Sequence, residues 1–255
     1  MRMRVVKIGG AALSDAAWLK DLGRSIAGGA GAVAVVHGGG PDISGLSERL
    51  GIEYAWVNGR RATSPELMDV VSMVLKGRVN GRIVSSLIDA GVDAMGVSGE
   101  DGSLIQASLA DGGSLGRVGH VDRVRSELLE ALAARGIVPV ISPVSRGPDG
   151  GAVNVNADEV AVAVAVALAS PELVFVTDVP GVLSNGGVMR EVSAADVRRM
   201  IEAGEATGGM ALKLESAVQA LAQGVPVVRI GPFETLFDGS AGTRIKNEAE
   251  VSAWL

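Results

Sequence analysis

The chain has 255 residues, with 23 Lys plus Arg against 29 Asp plus Glu, a net charge of -6, no cysteine and two histidines. That length fits one large α/β unit or two lobes sharing a sheet, and an acidic balance without a basic run argues against nucleic acid as a partner. The missing cysteines exclude a disulfide framework and a thiolate metal site, and two histidines are too few to suggest a histidine zinc site, so no resident metal is expected. The first apolar run, after Met1-Arg2-Met3-Arg4, meets Gly9-Gly10 too soon to form the core of a signal peptide. The longest low-polarity stretch, Val160 to Ala169, falls short of the ~20 residues that a membrane helix needs. The expectation is a cytoplasmic protein with no membrane partner.

In chain order, a strand is predicted over Arg4–Ile8 and a second over Ala32–His37, each ending in glycines, and then a helix over Asp42–Leu50. Leu67, Val70, Val71, Val74 and Leu75 recur at helical intervals and predict one long helix over Pro65–Ala90. A strand at Ala94–Ser98 precedes the glycine-rich connection Gly112–Gly119, which reads as a surface turn in a β-hairpin region. A helix at Ser126–Arg135, a strand at Val138–Ser142 and a turn at Arg146–Gly151 follow. The Val/Ala alternation from Val160 to Ala167 has strand periodicity, but its length, its alanines and its Asn/Asp-rich entry predict a buried helix. Beyond it come strands at Val174–Thr177 and Val225–Ile230, a turn at Ser184–Gly187, and helices at Ala194–Ala203 and Leu212–Gln223. Such alternation predicts a three-layer α/β/α sandwich around a mostly parallel, open central sheet.

The 36 glycines cluster where chemistry is expected. Val5-Val6-Lys7-Ile8-Gly9-Gly10 delivers a lysine and two glycines at the C-terminal end of a strand, the edge where open α/β sheets bind ligands. Val35-Val36-His37-Gly38-Gly39-Gly40-Pro41 carries a strand into a helix N-terminus, a natural site for phosphate or carboxylate. His37 reads as structural rather than as an acid-base group. Neither a P-loop nor a full Gly-x-Gly-x-x-Gly is present at these positions. Asn154-Val155-Asn156-Ala157-Asp158 places more polar side chains at a helix start than capping requires. Thr177-Asp178-Val179-Pro180-Gly181-Val182-Leu183 leaves another strand end, and Thr207-Gly208-Gly209-Met210-Ala211-Leu212-Lys213 opens a helix that carries a lysine. Two lysines and many backbone donors suit phosphoryl transfer to an already ionised carboxylate, which needs positioning and charge neutralisation but no base.

The ordered set Lys-x-Gly-Gly, His-Gly-Gly-Gly-Pro, Asn-x-Asn-Ala-Asp, Thr-Asp-Val-Pro-Gly-Val and Gly-Gly-Met-x-x-Lys, from Lys7 to about Ile245, resembles the amino acid kinase family in its acetylglutamate-phosphorylating branch. The resemblance implies one kinase domain over residues 1–255, with a substrate-binding lobe to about residue 170 and an ATP-binding lobe beyond it. It implies ATP, with magnesium bound mainly through the nucleotide, and N-acetyl-L-glutamate as the acceptor in arginine biosynthesis. By the same resemblance Lys7 and Lys213 stabilise the transferring phosphoryl group and Asp158 orients them. Gly38, Gly39, Gly40, Arg61 and Asn154 bind substrate. Gly9, Gly10, Asp178, Val179, Pro180, Gly181, Val182, Leu183, Glu205, Ala206, Thr207 and Gly209 serve ATP. Arg60 departs from the family pattern, which commonly has an aliphatic residue there; resemblance favours Arg61 over Arg60 as the clamp of the substrate α-carboxylate.

Three alternatives stay open at this point: a carrier-protein-linked glutamate or aminoadipate as acceptor, N-succinylglutamate as acceptor, and a non-catalytic nucleotide- or arginine-binding regulator. The residues before Lys7 are too few for the extra N-terminal helix that arginine-inhibited, hexameric members share, which implies a homodimer that arginine does not inhibit. Met68, Met73 and Leu75 in Pro65–Ala90 are the expected interface residues.

Overall fold

A computed structural model describes residues 2–247 apart from 30, 58 and 185. The first half runs β1 (Arg4–Ile8), α1 (Ala16–Gly28), β2 (Val33–His37), α2 (Gly40–Leu50), a hairpin of β3 (Trp56–Val57) and β4 (Arg60–Arg61), and α3 (Pro65–Ser72). A π-helical turn over Met73–Val79 joins α3 to α4 (Asn80–Asp89), after which come β5 (Ala94–Ser98), β6 (Ile105–Leu109), β7 (Val118–Val124) and α5 (Ser126–Ala133). The remainder is β8 (Val138–Ser142), β9 (Val144–Arg146), β10 (Ala152–Val155), α6 (Ala157–Ala167), β11 (Leu173–Val176), β12 (Leu183–Ser184), β13 (Gly187–Val188), β14 (Glu191–Ser193), α7 (Ala194–Glu202), α8 (Gly208–Ala222), β15 (Val228–Gly231) and β16 (Thr243–Lys246).

Eight strands form the central sheet in the order β14-β16-β15-β11-β1-β2-β8-β5. Every pairing is parallel except β15 with β16. Strand alternation sends Val5 to one apolar layer and Val6 and Ile8 to the other. The first layer is closed by α6 and α8, with Val160, Val164, Leu214 and Ala217 fully buried; the second is closed by α1, α3 and α4 through Leu22, Leu67 and Ile83. This is the expected α/β/α sandwich. Lys7 shares the face of Val5, so the same alternation aims it at α6 and α8.

The segment Val160–Ala167 is helical, inside α6. Its side chains are apolar all round because it lies between the sheet and α8, and Asn156 caps it by accepting from Asp158 N at 2.8 Å. The single helix expected over Pro65–Ala90 keeps its envelope but contains the π turn. Helix α1 is not among the elements expected from sequence; Asp15 caps it, accepting from Ala17 N and Trp18 N. Nor is the closed barrel β10-β7-β6-β9, whose strands mix apolar and polar residues and are in part only three or four residues long. Gly119 accordingly lies in the buried start of strand β7, whereas it was expected at the end of a surface turn. Met68 in α3 and Leu75 in the π turn, expected at an interface, belong to the core at 4% and 2% exposure, because the apolar stripe running through both packs into the second layer; Met73 alone of the three is exposed.

Candidate active site

Parallel pairing brings the C-terminal ends of β1, β2 and β11 to one edge: Lys7 lies opposite Val36 and Phe175, and Ile8 opposite His37. The loops leaving these ends therefore meet. Gly38 donates its N–H to Ile8 O at 2.9 Å, and a Cβ at Gly38 would stand 3.9 Å from Gly9 Cα. The two glycine motifs form one surface, with the Gly38 amide already engaged inside it. Gly39 and Gly40 follow at the start of α2, where amides have no intrahelical acceptor. Lys7 folds over Gly9, where a Cβ would come within 2.9 Å of its Nζ.

Asp158, in the first turn of α6, lies between the two lysines. Lys7 Nζ is 2.6 Å and Lys213 Nζ 3.8 Å from its two carboxylate oxygens. At 2.6 Å the Lys7–Asp158 contact engages one of the three ammonium N–H groups and leaves the others for another acceptor. Burial lowers the Lys213 pKa, the Asp158 carboxylate opposes that shift, and the Lys7 charge adds to it. Held next to each other by one buried carboxylate, two cations form a receptor for a group more negative than Asp158 itself.

Beside them lies a pocket walled by Gly38, Gly39, Gly40, Trp56, Arg61 and Asn154. Arg61 is buried, with its guanidinium 4.0 Å from the Tyr54 ring centre and 4.6 Å from that of Trp56. Its Nη2 donates to Gly40 O at 3.2 Å and Ser44 Oγ at 3.0 Å, whereas Nη1 is buried without a hydrogen-bond partner among the described residues. Asn154 is tied to the same unit: it donates to Thr63 Oγ1, which donates to Arg61 O at 2.6 Å. Arg60, its neighbour on the hairpin, also lines this pocket but is engaged differently: it donates to His120 Nε2 at 2.8 Å, while His120 Nδ1 lies 3.2 Å from the Glu159 carboxylate.

His37 is fully buried, and desolvation pushes its pKa down to about 4, so it is neutral at physiological pH. Asp178 leaves the end of β11 and is near enough to Lys213 to raise its pKa. Glu205, Thr207 and Gly209 are exposed around the start of α8. Val179 and Pro180 continue the β11 loop, and Leu183 is exposed in the β12–β13 hairpin. Val182 and Ala206 are core residues, and the Val182 N–H is taken up inside the protein, donating to Thr243 Oγ1 at 2.8 Å. Tyr54, Trp56, Ser44 and Thr63 are the site residues that sequence reasoning missed. A signal existed: one tyrosine and one of three tryptophans fall just before the Arg60-Arg61 pair in an aromatic-poor chain.

The fold and the two-lysine centre define a phosphoryl-transfer protein of the α/β sandwich type. The amino acid kinase family model matches residues 2–231, and the chain belongs to that family. An acetylglutamate kinase of Roseiflexus sp. (strain RS-1) is 44% identical over 248 residues, covering 96% of this chain and 94% of the relative. One from Chloroflexus aurantiacus is 45% identical, covering 94% and 95%. Among solved structures, smu.665 from Streptococcus mutans UA159 superposes with a TM-score of 0.82 at 31% identity, covering 96% of this chain and 99% of that one. The carbamate kinase of Giardia lamblia, at 15% identity and a TM-score of 0.74, shares the fold.

Proposed function

We propose that this protein uses ATP to phosphorylate the side-chain carboxylate of N-acetyl-L-glutamate, giving the acyl phosphate and ADP in arginine biosynthesis. The observation that carries the substrate assignment is the buried Arg61 Nη1, without a hydrogen-bond partner among the described residues, on the wall of a pocket that the glycine loop also lines. A guanidinium fixed by two acceptors and two aromatic rings, with one edge still free, is built to receive a carboxylate. Arg61 binds the α-carboxylate, and Asn154, held through Thr63, binds the same end of the substrate.

The side-chain carboxylate then lies by the Gly39 and Gly40 amides. One of its oxygens attacks the terminal phosphorus of ATP as the bond to ADP breaks, and no proton has to be removed from the nucleophile. Lys7 and Lys213 neutralise charge on the transferring group, and Asp158 keeps both ammonium groups aimed at it. Gly9, Gly10, the loop Asp178–Leu183 and the turn Glu205–Gly209 bind the nucleotide. Among the described residues no group of three or more His, Cys, Asp and Glu side chains converges. The nucleotide phosphates would carry the magnesium ion, which would supply charge neutralisation there. Residues to about 170 form the substrate lobe and those beyond it the ATP lobe.

The test is a coupled ADP-release assay with acetylglutamate, succinylglutamate and free glutamate in parallel; turnover of succinylglutamate or glutamate in preference to acetylglutamate refutes the assignment. No helix among the described residues is long and apolar enough to cross a membrane, and the cytoplasm is the compartment proposed. A homodimer is proposed as the assembly, through the sheet edge at β5, where Met95 is 48% exposed and Met73 56% exposed. Light scattering that gives a monomer rejects it.

A further inference from the structure

Behind the glycine loop lies a buried polar relay that the chemistry above does not use. Asn80, 4% exposed, donates from Nδ2 to Val140 O at 2.9 Å and to His37 Nε2 at 3.1 Å. Since Nε2 accepts, the single proton of the neutral imidazole sits on Nδ1, which donates to Gly38 O at 2.8 Å. A trans peptide opposes its C=O and N–H, so fixing the Gly38 carbonyl toward the imidazole turns the Gly39 N–H the other way. Gly39 lines the substrate pocket.

The π-helical turn Met73–Val79 puts this relay in place. In an α-helix each residue advances roughly 100° around the axis, so the extra residue of a π turn re-aims everything after it by about that angle. Leu75 and Val79, inside the turn, back directly onto Gly39, where a Cβ would stand 2.6 Å and 3.2 Å from them. Asn80 is the next residue, and its side chain lies over Gly96 of β5, where a Cβ would fall 1.9 Å from Oδ1. Three glycines thus accommodate one device: Gly96 makes room for Asn80, Gly38 presents the carbonyl, and Gly39 lets the π turn approach.

We propose that His37 and Asn80 are positioning residues for phosphoryl transfer, holding the Gly38–Gly39 peptide so that the amides entering α2 face the reacting oxygens. This rests on the placement of the glycine loop given under Proposed function. His37 moves no proton. Its contribution is to the orientation of donors whose contacts strengthen as charge develops, and so it belongs to kcat.

The test compares wild type with His37→Leu, His37→Asn and Asn80→Leu, using whichever acyl amino acid the wild type turns over. A wrong substrate assignment then leaves the comparison intact. His37→Leu and Asn80→Leu are expected to lower kcat about 10- to 100-fold with both KM values within about threefold. His37→Asn keeps an N–H at the Nδ1 position and is expected to recover most of that kcat. Its pH profile should match wild type from about pH 5.5 to 8, because the native imidazole is neutral there. Thermal denaturation of each variant separates loss of folding from loss of position. His37→Asn as impaired as His37→Leu at equal thermal stability overturns the proposal, as does a loss confined to KM. Should His37→Leu not fold, Gly96→Ala displaces the Asn80 amide from outside the site, and an unchanged kcat in folded Gly96→Ala also overturns it.

Discussion

Replacing Arg61 by alanine removes the one guanidinium with a free buried edge in the substrate pocket. In the native protein its cost is largely prepaid: Gly40 O and Ser44 Oγ hold Nη2, and Tyr54 and Trp56 hold the plane. Little side-chain entropy remains to be lost on binding, so the contact with a carboxylate should be worth the full range for a charge-assisted pair, about 1.5–3 kcal/mol. That converts to a rise of about 10- to 100-fold in KM for acetylglutamate. Because the contact is present before and during transfer, kcat should change little, and the KM for ATP should stay within about twofold. Arg61→Lys should fall between, since an ammonium keeps the charge and loses the planar fork. Initial-rate kinetics with each substrate varied in turn, supported by calorimetric titration of acetylglutamate, reads all of this. An Arg61→Ala enzyme with near-normal KM, or an Arg60→Ala enzyme showing this phenotype instead, refutes the reasoning, because Arg60 is committed to His120.

Lys7→Ala and Lys213→Ala should each lower kcat ~10²-fold or more with a smaller effect on KM, the loss expected when one preorganised donor is removed; single-turnover kinetics that find normal transfer remove that lysine from the mechanism. On the alkaline side, burial brings the Lys213 pKa below that of an ordinary lysine, so kcat should fall with rising pH earlier than a solvated lysine would allow, and Asp158→Asn should move that limb to lower pH. A limb unmoved in a folded Asp158→Asn variant contradicts the charge geometry. Stability should decline on the acid side for a separate reason. His37 has a native pKa of about 4 against a reference of 6.5, so the unfolded chain binds the proton first, and a contribution of roughly 3 kcal/mol, complete above about pH 6.5, is lost as pH falls toward 4. Urea unfolding of His37→Asn, which lacks the titrating ring, should show a flatter pH dependence over that window; identical slopes reject the assignment. Chelation of magnesium should abolish turnover, since ATP brings about four negative charges to a site with two lysines, and activity in excess chelator contradicts this.

The local motifs were legible because strand, glycines and helix start are contiguous in the chain. Lys7-Ile8-Gly9-Gly10 and His37-Gly38-Gly39-Gly40 state in a few residues that anion-binding backbone will stand at a strand end, and the Asn/Asp-rich entry to α6 separates a buried helix from a strand despite a period of two. Alternation along β1 also puts Lys7 on the face of Val5 and opposite Val6 and Ile8, although both faces are buried and only the tertiary structure decides that α6 and α8 cover the one with Lys7. The tertiary structure decided what depends on partners far along the chain. Resemblance alone favoured Arg61 over Arg60, since the residue types are the same; in the fold Ser44, Tyr54 and Gly40 hold Arg61, while His120, 60 residues away from Arg60, holds the other. The barrel strands mix apolar and polar residues, and two of them are only three and four residues long, so they carry little local signal and form because they pair with one another. The apolar spacing of Pro65–Ala90 is the same for a straight helix and for one with a π turn. Only packing of Leu75 and Val79 on Gly39 and of Asn80 on His37 selects the second, because those contacts exist solely in the folded chain.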